Sequence, residues 1–222
     1  MKKYLSYGMA GGSLHAFIGA VHRIGAGFDG IAALKAGCFS RNPEKNQECG
    51  DFYQLDKERI YSSFEEMAQK EGAREDGIDY VVISAPNNEH YETAKVFLQN
   101  GIHVLCEKPL CFEVSEAEEL KKLAQEKGLL FCVNYSYSGN NMVKEARELV
   151  KNGYIGDVIN VNAEYLQEYL VDDIGKGDQT MNKLSSWRKD PAVAGISNCV
   201  GDIGSHIENT VSYITGLRLK RV

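Results

Sequence analysis

The stretch 79–110, DYVVISAPNNEHYETAKVFLQNGIHVLCEKPL, places the strongest constraint on the fold of this chain. Tyr80–Ile83 and Ile102–Cys106 are short unbroken apolar runs, which are typical of parallel strands buried on both faces. A helical pattern lies between them and ends at Gly101, where a left-handed C-cap is expected. The stretch therefore predicts one right-handed strand-helix-strand crossover.

Two turns of this crossover form the first candidate site. Ligands of such sheets collect outside the carboxyl ends of the strands, where Pro86-Asn87 and Glu107-Lys108-Pro109 are expected. Lys108 follows a buried strand, and partial desolvation there would favour its neutral form and suit it to acid-base work. Taken alone, a turn lysine is more often a solvated surface residue.

The N-terminal segment carries a second candidate site. A strand over Tyr4–Met9 is followed by the glycine-bearing stretch Gly8–Gly19, which includes Gly11, Gly12, Phe17 and Ile18, and then by an apolar helix over Val21–Ala26. A strand, a glycine turn and a helix start can cradle the pyrophosphate of a dinucleotide, because backbone N–H groups approach it closely. The spacing is not a strict G-x-G-x-x-G. A tight turn with close helix packing accounts for the same glycines equally well.

The end of the second predicted strand, Ile31–Phe39, bears on the choice of dinucleotide. In NAD-binding folds an acidic residue about 20 positions after the glycine turn binds the ribose hydroxyls, whereas arginine suits a 2′-phosphate. Ser40 and Arg41 occupy this place, so the sequence allows NAD or NADP and favours NADP. The alternative is that Ser40 and Asn42 cap the next helix and that Arg41 is solvated.

Strands alternate with helices from residue 4 to residue 134, which predicts a doubly wound parallel Rossmann sheet of class α/β. A capping box of Ser115 and Glu118 is expected at the last helix. The remaining predicted elements are helices over Pro43–Gln54, Ser63–Glu71 and Glu113–Lys127, and a strand over Leu129–Val133. We assign 1–140 to a nucleotide-binding domain.

Residues 141–222 have a different pattern. A helix capped by Asn140 leads to Asp157–Tyr169, where apolar and polar residues alternate as in a half-buried strand of an open-faced sheet. Leu170–Pro191 reads as a loop, and Asp202–Thr215 as a helix. We therefore expect an incomplete α/β open-faced sheet domain.

Asp202 and His206 stand four residues apart on that last helix, so we expect them to face the same cleft. His206 can transfer protons near neutral pH, and Asp202 can orient it. Three alternatives are an N-cap role for Asp202, a core role for His206, and a metal site that lacks further ligands. No metal is predicted.

Bulk composition excludes several classes of function. The 222 residues carry a net charge of −6 without a basic cluster, which argues against a nucleic-acid partner. The start MKKYLSYG has no signal-peptide apolar region, so a cytoplasmic protein without a membrane role is expected. The six cysteines include no C-x-x-C pair, and Cys106 and Cys132 are expected to be buried within strands.

Five motifs together closely resemble the Gfo/Idh/MocA oxidoreductases. They are Gly11-Gly12 with Phe17-Ile18-Gly19-Ala20-Val21-His22-Arg23, Pro86-Asn87-Asn88-Glu89-His90, Cys106-Glu107-Lys108-Pro109-Leu110, Trp187-Arg188 with Asp190-Pro191, and Gly201-Asp202-Ile203-Gly204-Ser205-His206. The resemblance spans nearly the whole chain. It implies a Rossmann domain, an open-faced α/β domain, and NAD(P)-dependent oxidation or reduction of a sugar, cyclitol or related polyol.

The resemblance also implies roles for individual residues. Lys108 would polarise the reacting oxygen, His206 would act as the base, and Asp202 would support this pair. A cis peptide is expected before Pro109. The cofactor set is Gly11, Gly12, Phe17, Ile18, Ser40, Arg41, Pro86, Asn87, His90, Glu107, Lys108, Trp187 and Arg188, with Asn87 at the nicotinamide.

Family members continue beyond the point that corresponds to Val222, so we expect a truncated chain whose own turnover is poor. An unpaired sheet edge would favour association, which makes a homo-oligomer the expected state. A dinucleotide-binding module without turnover is the alternative function.

Overall fold

A computed structural model describes residues 4–14, 16–167 and 186–221. Two compact units make up the chain, Met1–Val133 and Asn134–Val222. Much of the predicted loop at Leu170–Pro191 lies outside the described residues. Within the described part of the chain, no helix is both long and apolar enough to cross a membrane.

A five-stranded sheet forms the centre of the first unit. Its strands lie in the order β2-β1-β3-β4-β5, and the pairs β1·β2, β1·β3 and β3·β4 are parallel. The strands are β1 (Leu5–Gly11), β2 (Ala32–Cys38), β3 (Tyr80–Ser84), β4 (His103–Glu107) and β5 (Phe131–Asn134). The predicted doubly wound parallel sheet is confirmed, with each strand within two residues of its expected bounds.

Helices connect successive strands, as the crossover pattern predicts. They are α1 (Phe17–Gly27), α2 (Pro43–Phe52), α3 (Phe64–Ala73), α4 (His90–Gln99) and α5 (Val114–Lys127). Asn42 caps α2 by accepting a hydrogen bond from the Lys45 backbone N–H at 3.0 Å. The glycines expected to end helices do so, since Gly101 and Gly128 have φ of 79° and 64°.

The capping box predicted at Ser115 and Glu118 is wrong. Helix α5 begins at Val114, so Ser115 already lies in its first turn. The box is made by Glu113 and Glu116, and the Glu116 carboxylate accepts from the Glu113 backbone N–H at 3.1 Å. A capping box does form, but it lies two residues earlier and has glutamate in place of serine, because the S-x-x-E motif does not fix where helical backbone begins.

Side chains of successive strand residues point to opposite faces and pack two separate cores. Met9 and Val82 pair across the sheet and belong to the core that includes Tyr7 and Phe39. The opposite face holds the larger core, formed by Val81, Ile83, Ala94, Phe97, Leu98, Val104, Cys106 and Leu120 among others. Because both faces are covered, the strands read as unbroken apolar runs.

A buried ion pair stabilises the first unit beneath α3. The Arg59 guanidinium donates twice to the Glu71 carboxylate, and both side chains are almost fully buried. The Tyr61 hydroxyl and the Ile78 backbone N–H also donate to Glu71, at 2.7 Å and 3.1 Å. Burial raises the pKa of Tyr61. The Glu71 carboxylate is thus fully engaged in a buried site.

In the second unit, α6 (Asn141–Lys151) packs against α8 (Ser205–Thr215), and the Arg147 guanidinium lies 4.4 Å from the Tyr213 ring. A short helix α7 (Pro191–Ala194) and a single π-helical turn, Val200–Gly204, precede α8. The predicted helix from Asp202 therefore exists, but its first turn is π-helical.

The strand predicted at Asp157–Tyr169 is absent from its described part, 157–167. Its expected inward side chains are exposed, with Ile159 at 96% and Val161 at 40%. Alternation marks a segment that can form a half-buried strand, but strand hydrogen bonds need a partner. In the described ranges after residue 134, no such partner strand is present.

Cys106 is buried as expected, whereas Cys132 is exposed. Cys132 is exposed because it lies on β5, which is the edge strand of the sheet. A short apolar run does not show which of its residues face a covering helix.

Candidate cofactor and catalytic sites

The glycine turn after β1 brings three chain segments too close together for side chains. Gly11 and Gly12 have φ of +83° and +69°, which favours glycine. A Cβ at Gly11 would lie 2.7 Å from the Ser84 carbonyl oxygen, and a Cβ at Gly19 would lie 2.6 Å from the Gly12 Cα. The close helix packing that the sequence allowed is therefore present.

The same turn has the features of a phosphate cradle. Helix α1 begins at Phe17, and no side chain of the described residues forms a cap hydrogen bond at its N-cap residue, Ala16. Its first N–H groups can therefore donate to an anion, and the helix dipole favours negative charge there. Phe17 is 84% exposed and Ile18 is half-buried, so the predicted cofactor contacts at this helix start are accessible.

Ser84 is a candidate residue that the sequence reasoning missed. Its Oγ is buried and has no hydrogen-bond partner among the described residues. It lies 2.7 Å from the position that a Cβ of Gly12 would take, so it faces the glycine turn. Burying a hydroxyl without a hydrogen bond costs free energy, unless a ligand or a water molecule provides the missing partner. The signal that the sequence offered for this residue was its position, since Ser84 is the polar residue that ends the apolar run of β3.

Ser40 and Arg41 line a shallow depression of about 200 Å³ at the end of β2. The Ser40 hydroxyl oxygen accepts from the Asn42 N–H at 3.1 Å, and Arg41 pairs with Glu89 at 2.6 Å. The Arg41 side chain is 82% exposed, so it could turn to an added ligand. Burial raises the pKa of Glu89, and the Arg41 charge opposes this shift. Both the capping role of Asn42 and an accessible arginine are present.

His90 was predicted to contact the cofactor, and the structure shows a buried ring between two backbone carbonyl groups. Its ring is 1% exposed, with Nδ1 2.7 Å from the Pro109 carbonyl oxygen and Nε2 2.9 Å from the Ala85 carbonyl oxygen. Burial lowers the pKa of His90. The ring therefore links the loop after β3 to the turn after β4. Asn87, on the loop between Ala85 and His90, is itself buried.

The Glu107-Lys108-Pro109 turn contains the expected cis peptide, between Lys108 and Pro109. Glu107 is buried, and its Oε1 lies 2.8 Å from His22 Nε2. Its Oε2 accepts from the Lys108 backbone N–H at 3.2 Å. Lys108 itself is half-buried. In the sequence His22 appears only as part of the motif that begins at Gly11, and its contact with Glu107 was not anticipated.

Asp202, Arg188 and Trp187 form a second group, within the second unit. Arg188 Nε lies 3.4 Å from Asp202 Oδ2, and its guanidinium carbon lies 4.6 Å from the centre of the Trp187 ring. Trp187 and Arg188 were predicted as cofactor contacts, and that prediction stays open. Arg188 connects Trp187 to Asp202, which lies in the π-helical turn.

His206 is the second residue of α8, which follows this turn, and is 9% exposed. Two tyrosine rings meet it edge-on, with centroids 6.0 Å away for Tyr135 and 4.7 Å away for Tyr137. The Tyr137 and Tyr165 hydroxyls form a hydrogen bond, which together with burial raises the pKa of Tyr137 to about 12. These two aromatic neighbours were not identified from the sequence, because 71 and 69 positions separate Tyr135 and Tyr137 from His206.

In the described ranges, no three His, Cys, Asp or Glu side chains are grouped closely enough to hold a metal ion. The polar groups gathered at the carboxyl edge of the first unit instead suit an anionic, hydrogen-bonding ligand.

Two family models match the chain. Residues 7–135 match the Gfo/Idh/MocA oxidoreductase family with its NAD-binding Rossmann fold, and residues 143–222 match the Gfo/Idh/MocA C-terminal domain. The chain belongs to the Gfo/Idh/MocA oxidoreductase family. The resemblance inferred from the five motifs is therefore confirmed, as are the NAD-binding fold of the first unit and a C-terminal α/β domain after it.

Two relatives of this family member are an uncharacterized oxidoreductase and a levoglucosan dehydrogenase. It is 39% identical to the uncharacterized oxidoreductase YfiI of Bacillus subtilis over 93% of this chain and 52% of the relative. It is 30% identical to levoglucosan dehydrogenase of Pseudarthrobacter phenanthrenivorans over 63% of this chain and 33% of the relative. The chain thus spans about half or less of these relatives.

A solved structure matches over almost the whole chain. It is an inositol dehydrogenase homolog from Azotobacter vinelandii complexed with NADH and myo-inositol, with a TM-score of 0.87 and 29% identity. The match covers 97% of this chain and 54% of the other.

Proposed function

We propose that this Gfo/Idh/MocA protein is an NAD(P)-dependent dehydrogenase that interconverts a secondary alcohol and a ketone on a sugar, cyclitol or related polyol. The observation that carries the proposal is the carboxyl edge of the first unit. There, a glycine turn without room for a Cβ, an uncapped helix start and the Ser84 hydroxyl suit a dinucleotide.

The residues present fit this cofactor. Gly11 and Gly12 would admit the pyrophosphate, the first N–H groups of α1 would donate to it, and Ser84 would complete a hydrogen bond beside it. Asn87 would lie at the nicotinamide, on the loop after β3. The bound nicotinamide would accept or give up a carbon-bound hydrogen as hydride.

Lys108 and His206 would carry the proton chemistry. In the oxidation direction, His206 takes the hydroxyl proton of the substrate while its carbon–hydrogen bond breaks and the carbonyl double bond forms. Lys108 donates a hydrogen bond to the oxygen, which bears developing negative charge. Asp202 supports this arrangement through its ion pair with Arg188. Reduction reverses each step.

The substrate class rests on what relatives are named for. One relative is a levoglucosan dehydrogenase, and one structural neighbour is an inositol dehydrogenase homolog bound to myo-inositol. Both compounds carry secondary hydroxyl groups on a ring. We extend this class to the present chain, with residues 1–140 as the nucleotide-binding domain and 141–222 as the start of the substrate domain.

We further propose that NADP(H) binds at least as well as NAD(H). Ser40 and Arg41 stand where an acidic residue would repel the 2′-phosphate, and Arg41 borders a depression that also contains Ser62. Glu89 would have to release Arg41 for this contact to form.

Two measurements test the dehydrogenase. Nicotinamide fluorescence titration with NADH and NADPH reports binding, and a screen of cyclitols, anhydrosugars and hexoses reports turnover. Lys108→Met and His206→Ala should each bind nucleotide within about threefold of the unaltered chain and lose turnover by about 100-fold or more. Lys122→Met, a change at a lysine whose side chain is 76% exposed, is the matched control and should behave as the unaltered chain.

Each alternative outcome has a clear meaning. Nucleotide binding without turnover on any polyol would favour the non-catalytic dinucleotide-binding module. Absence of nucleotide binding would contradict the proposal altogether. Turnover that survives both substitutions would show that Lys108 and His206 do not have these roles.

A further inference from the structure

The contact between His22 and Glu107 joins α1 to the turn that carries Lys108, and the proposed reaction does not use it. His22 Nε2 lies 2.8 Å from Glu107 Oε1, with side-chain exposures of 8% and 9%. The other carboxylate oxygen accepts from the Lys108 backbone N–H at 3.2 Å. One buried carboxylate therefore meets an imidazole on one side and the backbone of Lys108 on the other.

The next residue on the helix makes a matching contact with the glycine turn. Arg23 Nη1 donates to the Gly12 carbonyl oxygen at 2.8 Å, and its guanidinium carbon lies 4.4 Å from the centre of the Tyr53 ring. His22 and Arg23 are consecutive residues of one hydrogen-bonded helix. A single rigid element thus fixes both the glycine turn and the lysine turn.

We propose that His22 is a positioning residue that acts through Glu107 to fix the backbone of Lys108 relative to the glycine turn. The inference rests on the proposed function, because it gives His22 a part in the same site. The position of Lys108 matters for catalysis, since a misplacement of a reacting group by about 1 Å can lower the rate by about 100-fold. A role in stability alone is the competing explanation, because burying two polar side chains as a pair is a common structural device.

Amide hydrogen exchange followed by NMR separates the two explanations without relying on activity. In His22→Ala the Glu107 carboxylate loses one partner, and the Lys108 amide should exchange about tenfold faster or more. The Val104 amide, which donates to the Leu130 carbonyl oxygen at 3.0 Å, reports whether the same strand stays intact. Its exchange should change by less than about threefold.

Matched variants complete this experiment. His22→Gln keeps a side chain that can donate to Glu107 and should restore slow exchange at Lys108. Ile24→Ala, on an exposed residue of the same helix, should leave both amides unchanged. His22→Asn, which is polar but too short to reach Glu107, replaces His22→Ala if that variant does not fold, with the same expected result. An unchanged Lys108 amide, or equal acceleration at Val104, would overturn the inference.

Kinetics provide the second arm. His22→Ala should lower kcat by about tenfold or more, change the dissociation constant for NADH by less than about threefold, and be rescued by His22→Gln. An unchanged kcat in a folded His22→Ala variant would overturn the inference. If the unaltered chain binds no nucleotide and turns over no polyol, the proposed function fails, while the exchange measurement still decides whether His22 positions Lys108.

Discussion

Replacing Gly19 by alanine tests the close packing on which the proposed phosphate cradle depends. Gly19 is buried in the first turn of α1, and a Cβ there would lie 2.6 Å from the Gly12 Cα and 2.8 Å from the Gly12 carbonyl oxygen. Both contacts are with backbone, so no side-chain rotation can relieve them. The glycine turn and the helix start would have to move apart.

A second glycine on the same helix provides the control. Gly25 is exposed, and a Cβ there would meet nothing within 4 Å. Gly25→Ala should therefore stabilise the protein by about 0.5–1 kcal/mol, because alanine loses less backbone entropy in a helix. Gly19→Ala has the same favourable entropy contribution, but its overpacking against the Gly12 backbone should destabilise the protein by about 1–3 kcal/mol. The difference between the two variants isolates that clash.

Urea unfolding measures the stability difference, and NADH and NADPH titration measures the effect on the cradle. Gly19→Ala should be less stable than Gly25→Ala by about 1–3 kcal/mol and should bind both nucleotides at least about tenfold more weakly, or about 1.4 kcal/mol. Gly25→Ala should bind as the unaltered chain does. If Gly19→Ala matches Gly25→Ala in both stability and affinity, the close approach seen here is irrelevant to nucleotide binding.

The remaining predictions concern cofactor choice, the buried ion pair and pH. Arg41→Ala should weaken NADPH binding by about tenfold and leave NADH within about threefold; a tenfold preference of the unaltered chain for NADH would contradict the assignment. Glu71→Gln leaves the buried Arg59 charge poorly paired and should cost about 3–5 kcal/mol in urea unfolding, whereas a loss below about 1 kcal/mol would refute this. Burial lowers the pKa of His90 below its usual 6.5, so the unfolded chain binds the proton more readily. Stability should fall as the pH drops below 6.5, by up to about 1.4 kcal/mol per pH unit, and less steeply in His90→Asn.

Much of the candidate site could be read from the sequence, since its residues sit at the ends of strands. Once β3 and β4 are recognised as parallel strands, the loop with Asn87 and the turn with Lys108 must share one sheet edge. The glycine turn follows from β1 in the same way. What the sequence could not give was the partner of each side chain. Ser84, for example, reads only as the polar end of an apolar run.

The sequence by itself determined the order and type of elements in the first unit, because strand and helix periods are local properties of the chain. Tertiary structure decided the contacts between distant residues: His22 with Glu107, 85 positions apart, and His90 with the carbonyl oxygen of Pro109. It also decided that 157–167 forms no strand. Alternating apolar and polar residues give a segment one apolar face, but a strand also needs a second strand for its backbone hydrogen bonds. Local patterns therefore fixed the elements of the first unit, whereas packing fixed which side chains meet and whether a predicted strand forms.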